Sequence, residues 1–300
     1  MQRNGNQIPF SSLEHFYSSN RLAIKLRSNV KTYSNQLRFV LPVALLLALQ
    51  GLMGQAAEIG LSHGEKFTYH IGWGIFGRAG DITVTASELD DGEGLQTRIR
   101  TTTSTRGFIR ALYPFDGQAD MFYDTNSGRF IRATAQTSTR SKETNADIAF
   151  DYDSAQANYT DHIREERSLS LPIPENNPAD FITTLIQTRS WDLKLGESRK
   201  VSVLFDDEFY ELVITAEAEE IIKTSWGKKR TLVLVPRMET EPKGMFKRGG
   251  EVRVWVSQEE DHLPVRFEVK LKVGTGMAVL TDYQNAPPTP SVGPPVEEKF

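Results

Sequence analysis

Between Gly94 and Lys142 the chain carries eight basic residues, Arg98, Arg100, Arg106, Arg110, Arg129, Arg132, Arg140 and Lys142, against three acids, Asp116, Asp120 and Asp124. The formal charge of the whole chain is -4, and residues beyond 56, with 29 basic and 38 acidic groups, carry -9, so this segment locally reverses the sign. Guanidinium forks grip carboxylate and phosphate oxygens in pairs. Arg106 and Arg110 also flank the apolar Phe108-Ile109 and Leu112-Tyr113. The candidate binding set is therefore Arg98, Arg100, Arg106, Arg110 and Tyr113 together with Trp73, and the chemistry it suits is capture of an amphipathic or anionic ligand. The competing expectation is that these arginines pair across strands with the acids that follow, Glu143, Asp147, Asp151, Asp153, Asp161, Glu165 and Glu166.

Other chemistries find less support. Beyond residue 56 the histidines are His63, His70, His162 and His262, without His-x-His or His-x-x-x-His spacing, so no metal site is expected. Asp206-Asp207-Glu208 and Glu259-Glu260-Asp261 lack the alternating oxygen ligands around a glycine that calcium needs, and are read as wet hairpin tips. Zero cysteine removes thiol nucleophiles, iron–sulfur clusters, disulfides and a lipidated N-terminal cysteine. Nucleophile-elbow, phosphate-loop and dinucleotide fingerprints are absent, so no cofactor is expected. Ser225 and Lys228 form an isolated Ser-x-x-Lys in an expected turn. Gly72, Gly74, Gly77 and Gly80 lead into a strand rather than a helix, which suits bends or bulges better than phosphate binding. Paired carboxylates for polysaccharide hydrolysis would have to come from Asp116, Asp151 or Asp180.

The elements that must position these residues are mostly strands. Phe67, Tyr69 and Ile71 alternate with Lys66, Thr68 and His70, and Ile82, Val84 and Ala86 with Asp81, Thr83 and Thr85. The same period recurs at Val201, Val203 and Phe205, at Leu212 and Ile214, at Val252, Val254 and Val256, and from Val265 to Leu271. Leu232–Val235 is continuously apolar, as in a strand covered on both faces. Turn signals at Asp90-Asp91-Gly92, Asn126-Ser127-Gly128, Trp226-Gly227 and Gly249-Gly250 punctuate them. The expectation is an all-β fold: an antiparallel curved sheet, open barrel or sandwich, with one or two short helices. Residues 107–113 and 178–189 carry the helical spacing, and the Pro-rich Leu171–Pro174 marks a linker between two halves that share one barrel or form two packed sheets.

Residues 1–56 are read as an address and residues 57–284 as one β-rich domain. The run FVLPVALLLALQGLMG from Phe39 to Gly54 follows basic residues and precedes small ones, the order of a secretory signal. It is shorter than the ~20 apolar residues of a membrane span. Export to the periplasm with cleavage near Ala56 or Ala57 is the first expectation and an inner-membrane anchor over 39–54 the second; the n-region is longer than usual. Residues 285–300, with five prolines, are expected to form a disordered tail. The net charge argues against nucleic acid as a partner. A basic loop, Lys243, Phe246, Lys247 and Arg248, offers peripheral contact with an anionic membrane.

Laid out in order, the landmarks resemble the bacterial family of domain of unknown function 3108. They are Gly64-Glu65, Tyr69, Trp73 and Gly80; Tyr113-Pro114, Asp116 and Phe150-Asp151; Leu171-Pro172, Asp180, Leu185, Arg189 and Leu195-Gly196; and Glu219, Gly227, Val254-Trp255-Val256 and Leu263-Pro264-Val265. The resemblance covers about residues 60–284 and implies an exported, β-rich protein; it brings no catalytic residues with it. The functional expectation is a non-catalytic envelope protein with a ligand in a β-barrel groove, lined by the Tyr113 segment and the helix near Asp180. The alternatives are a polysaccharide hydrolase and a structural partner that binds by edge-strand addition.

Overall fold

The computed structural model describes residues 59–286 apart from 75, 91, 93, 206, 243–245, 247–249 and 272–273. The expected signal or anchor segment, its expected cleavage site and the Pro-rich residues beyond 286 lie outside the described residues.

The chain forms β1 (Lys66–Trp73), β2 (Phe76–Asp90), β3 (Leu95–Thr105), helix α1 (Gly107–Leu112), β4 (Phe115–Asp124), β5 (Phe130–Thr139), β6 (Glu143–Asp151), β7 (Gln156–Asp161) and β8 (Leu169–Pro172). After residues 173–178 come β9 (Ala179–Asp180), helix α2 (Phe181–Gln187), β10 (Ser198–Phe205), β11 (Glu208–Thr224), β12 (Gly227–Met238), β13 (Glu251–Ser257), β14 (Pro264–Leu271) and β15 (Gly274–Gln284). All fifteen strands belong to one sheet, ordered β8-β7-β6-β5-β4-β3-β2-β1-β15-β14-β13-β12-β11-β10-β9. Two antiparallel meanders are thus fused where β1 meets β15, with Phe67 opposite Tyr283. Among the described residues only β9 with β10 is parallel, over two residue pairs.

This order forces curvature. Fourteen strand spacings would make a flat sheet about 67 Å wide. Its outermost strands, β8 and β9, are joined by the six residues 173–178, which reach about 25 Å at full extension. The sheet therefore curls into one open, curved wall whose two edges face each other across this strap.

Alternation along the strands sends one row of side chains inward. Register places Ile99 opposite Met121, and Ala216, Leu234, Val254, Phe267 and Ala278 in one continuous row across the second meander. All of these are buried. Leu232, Val233, Leu234 and Val235 are buried without alternation, as their uninterrupted apolar run requires. Gly80 earns its place by close approach: a Cβ there would sit 2.4 Å from the Ser104 carbonyl oxygen. Gly74, at φ +55°, turns β1 into β2. These are the bends that the glycine run predicts.

Both expected helices form, and they differ from each other. Asp180 caps α2 through its side chain, accepting from the Ile182 and Thr183 amides at 2.9 and 3.0 Å. Thr183, Thr184, Leu185 and Ile186 are buried in succession, so α2 is covered around most of its circumference. α1 has no buried residue at all. Phe246 of the basic loop is only 8% exposed and packs in the core. It is therefore not available as an apolar contact for a membrane, a correction to the sequence reading of that loop; Lys243, Lys247 and Arg248 lie outside the described residues.

Candidate binding cleft at the sheet seam

The sequence-predicted arginines are held by carboxylates. Arg100 and Asp120 are direct cross-strand neighbours on β3 and β4. Arg100 donates from Nε and Nη2 to the two Asp120 oxygens at 2.7 and 3.0 Å. The bond to Asp120 raises the Arg100 pKa against the opposing effect of burial. Arg98 Nε lies 3.8 Å from the same carboxylate. Arg106 pairs with Asp81, which also faces His70 Nδ1 at 2.9 Å and Arg78 at 3.5 Å. Arg110 grips Asp116 with two bonds of 2.9 and 2.7 Å, which lower the Asp116 pKa.

The partners are thus acids of β2 and β4 and not the acidic stretch after Glu143, because register decides which side chains meet. Arg106, Arg110 and Tyr113 share the end of the sheet where β1 turns into β2, near Trp73, whereas Arg98 and Arg100 project from the middle of β3. Trp73 lies across the start of β15, where a Cβ on Gly276 would approach its ring to 2.9 Å.

The three carboxylates considered for hydrolysis occupy separate places. Asp116 stands at the α1 end, while Asp151 caps the β6–β7 turn at the opposite end, accepting from the Asp153 and Ser154 amides at 3.0 and 3.2 Å. Asp180 accepts the Tyr123 hydroxyl at 3.0 Å in addition to its helix amides. Burial pushes the Asp180 carboxyl above its ordinary range, against those hydrogen bonds. Among the described residues no three His, Asp or Glu side chains converge as a metal site would need.

What the sequence reading did not find is a cleft of about 720 Å³ at the seam between the strap and the edge strand β10. One wall is the strap at Asn177 and Pro178, another is β10 from Arg199 to Ser202, and the floor includes Gln187 of α2 and Trp191. β9 covers β10 only at Val203 and Leu204, so the edge of β10 before them has no neighbouring strand among the described residues. Arg199 stacks over Trp191 at 4.8 Å. Unlike the predicted arginines, it has no carboxylate partner among the described residues. Lys200 is paired with Glu239 at 2.8 Å. A cation held over an indole, in a polar hollow, can bind an anionic group while the ring and Val201 meet an apolar body. The only sequence signal was Trp191 eight residues before an Arg-Lys pair; their convergence depends on the turns between them.

A buried ion pair lies next in sequence to the floor residues Gln187 and Trp191. Arg189, just after α2, donates to Glu65 at 2.8 Å, and Tyr283 of β15 donates to the same carboxylate at 2.5 Å. Glu65 is 3% exposed, so this is a buried tie between the end of α2 and the β1–β15 junction. Burial and the bond to Glu65 push the Tyr283 hydroxyl up to about 12. A second, more open hollow of about 520 Å³ lies among residues of β3 to β6, including Thr103, Gly117 and Thr137.

Comparison with known proteins agrees with the landmarks. The family described as "Protein of unknown function (DUF3108)" matches residues 68–281. No curated protein matches the chain. Among solved structures, a β-barrel-like protein of domain of unknown function DUF1849 from Brucella abortus is 12% identical, with 74% of this chain and 97% of that chain covered and a TM-score of 0.49. A protein described as exported, with a YmcC-like fold, from Bacteroides fragilis is 10% identical, with 75% and 97% covered and a TM-score of 0.28. Among the described residues no helix is long and apolar enough to cross a membrane.

Proposed function

We propose that this chain, which belongs to the DUF3108 family of proteins of unknown function, is an exported, non-catalytic envelope protein that holds an anionic, amphipathic ligand in the seam cleft. The observation that carries the reading is Arg199, free of any carboxylate among the described residues and stacked on Trp191 in a hollow of about 720 Å³. That volume suits a small ligand. The dispersal of Asp116, Asp151 and Asp180 supports binding rather than hydrolysis, since paired acid catalysis needs two carboxylates about 5 to 9.5 Å apart. Export rests on the leader pattern of residues 39–57.

A fluorescent fatty acid with a carboxylate head is a suitable probe. Trp191→Ala with Arg199→Ala is expected to weaken its binding at least tenfold, the scale of one lost charge-assisted contact. Arg106→Ala with Arg110→Ala should leave it unchanged. The opposite pattern would move the site to the α1 end, and equal binding by all variants would remove the cleft as the site.

A further inference from the structure

We propose that α1 is the surface by which the protein docks on an anionic lipid bilayer. The inference goes beyond the ligand reading and does not depend on it. α1 is a helix that buries nothing: Phe108 is 63%, Leu112 60% and Tyr113 59% exposed. A short helix in water ordinarily persists because one apolar face packs. Here polar clamps hold a helix that has no buried residue. Arg106 pairs with Asp81, Arg110 with Asp116, and Arg140 Nη2 donates to the Ala111 carbonyl at 2.8 Å. The fold thus presents three large apolar side chains outward, at an end of the sheet shared by the β1–β2 and β5–β6 turns.

The surrounding charge selects the occupant. Arg140 and Lys142 are exposed beside α1 and have no carboxylate partner among the described residues. Arg78, on the β2 side, is also largely exposed, at 3.5 Å from an Asp81 already shared with Arg106 and His70. Apolar side chains ringed by cations match a surface of anionic headgroups over hydrocarbon: the rings and Leu112 enter the headgroup–acyl boundary while the cations stay at phosphate level. In a protein whose remaining body is acidic, these cations also set which end faces the membrane.

Because the chain has no cysteine, a single one can carry an environment-sensitive fluorophore on the full-length protein. Leu112→Cys reports on α1, and Ile221→Cys, 69% exposed near the opposite end of β11, is the control. This readout is local, so the apolar run at 39–54 does not confuse it. With vesicles of phosphatidylglycerol and phosphatidylcholine, the label at 112 should shift to the blue and brighten several-fold, whereas that at 221 should not change. The response should fall in high salt and with Arg140→Glu plus Lys142→Glu. The proposal is overturned if position 112 keeps its aqueous emission, if both positions respond alike, or if phosphatidylcholine alone is as effective. A shift that grows with protein concentration without lipid would overturn it in favour of a second copy of the chain.

Discussion

α1 and α2 are nearly equal in length, six and seven residues, yet they use their apolar side chains in opposite ways. α2 begins with a capping carboxylate and buries four residues in succession; α1 begins at Arg106 without a side-chain cap and buries none. Burial follows from position in the sheet. α2 lies inside the curl, after the strap that links the two edges, so most of its surface faces protein. α1 bridges two adjacent strands of the first meander at its open end and is tied to them by its backbone and its arginines, with no residue fully buried. α2 is an organiser of the fold, and α1 is a display held in place by charge.

The largest effects should come from cutting α2 away from the strand junction. Arg189→Met leaves Glu65 buried without its cation and is expected to cost about 3–5 kcal/mol, read as a lower urea midpoint. Adding Glu65→Gln should restore part of that loss, since the penalty lies in the orphaned charge; no recovery would show that the packing of α2, and not the ion pair, carries the tie. Asp180 supplies a smaller, pH-dependent effect. Its carboxyl is held above the ordinary 3.8 by burial, so the folded state binds this proton more tightly than the unfolded chain. The stability it contributes is therefore complete below that ordinary value and is lost as pH rises through the elevated one, with a slope of at most about 1.4 kcal/mol per pH unit. Asp180→Asn keeps an oxygen to cap the helix and removes the slope. Urea titrations from acid to neutral pH should show the variant gaining on the wild type, and a constant difference would remove burial as the dominant influence on Asp180.

Much of the sheet was legible because its signal is local. Period-two runs such as Phe67-Tyr69-Ile71 report which face each residue takes, and the unbroken Leu232–Val235 reports cover on both sides. The pairing of β1 with β15 was not legible, because it joins strands separated by almost the whole folded body and no local pattern names the partner. The site suffered from the same non-locality. Arg100 and Asp120 are twenty residues apart in sequence and become direct neighbours through register alone. The arginine cluster therefore stood as a candidate binding set, with any pairing acids expected after Glu143 and not on β2 and β4, whereas Arg199, which has no carboxylate partner among the described residues, lay outside the cluster. Phe246 was misread for a related reason: charges beside it in sequence constrain their own exposure and not the direction of the ring between them.

The smallest expected effect sharpens the contrast between the helices most. Hydrophobic stabilisation scales with the apolar area removed from water. Phe108, Leu112 and Tyr113 keep about 60% of their surface wet in the folded protein, so their truncation forfeits little. Each of Phe108→Ala, Leu112→Ala and Tyr113→Ala should change unfolding free energy by within about 0.5 kcal/mol. Ile186→Ala, at a side chain 0% exposed, should cost about 2–5 kcal/mol. Urea melts of the four variants under one condition make the comparison. Substantial losses at α1 would mean that its side chains pack in solution and that the arginine clamps follow from the packing. Near-zero losses would mean that the chain maintains three exposed apolar groups for which folding has no use, which is the condition a docking surface must meet.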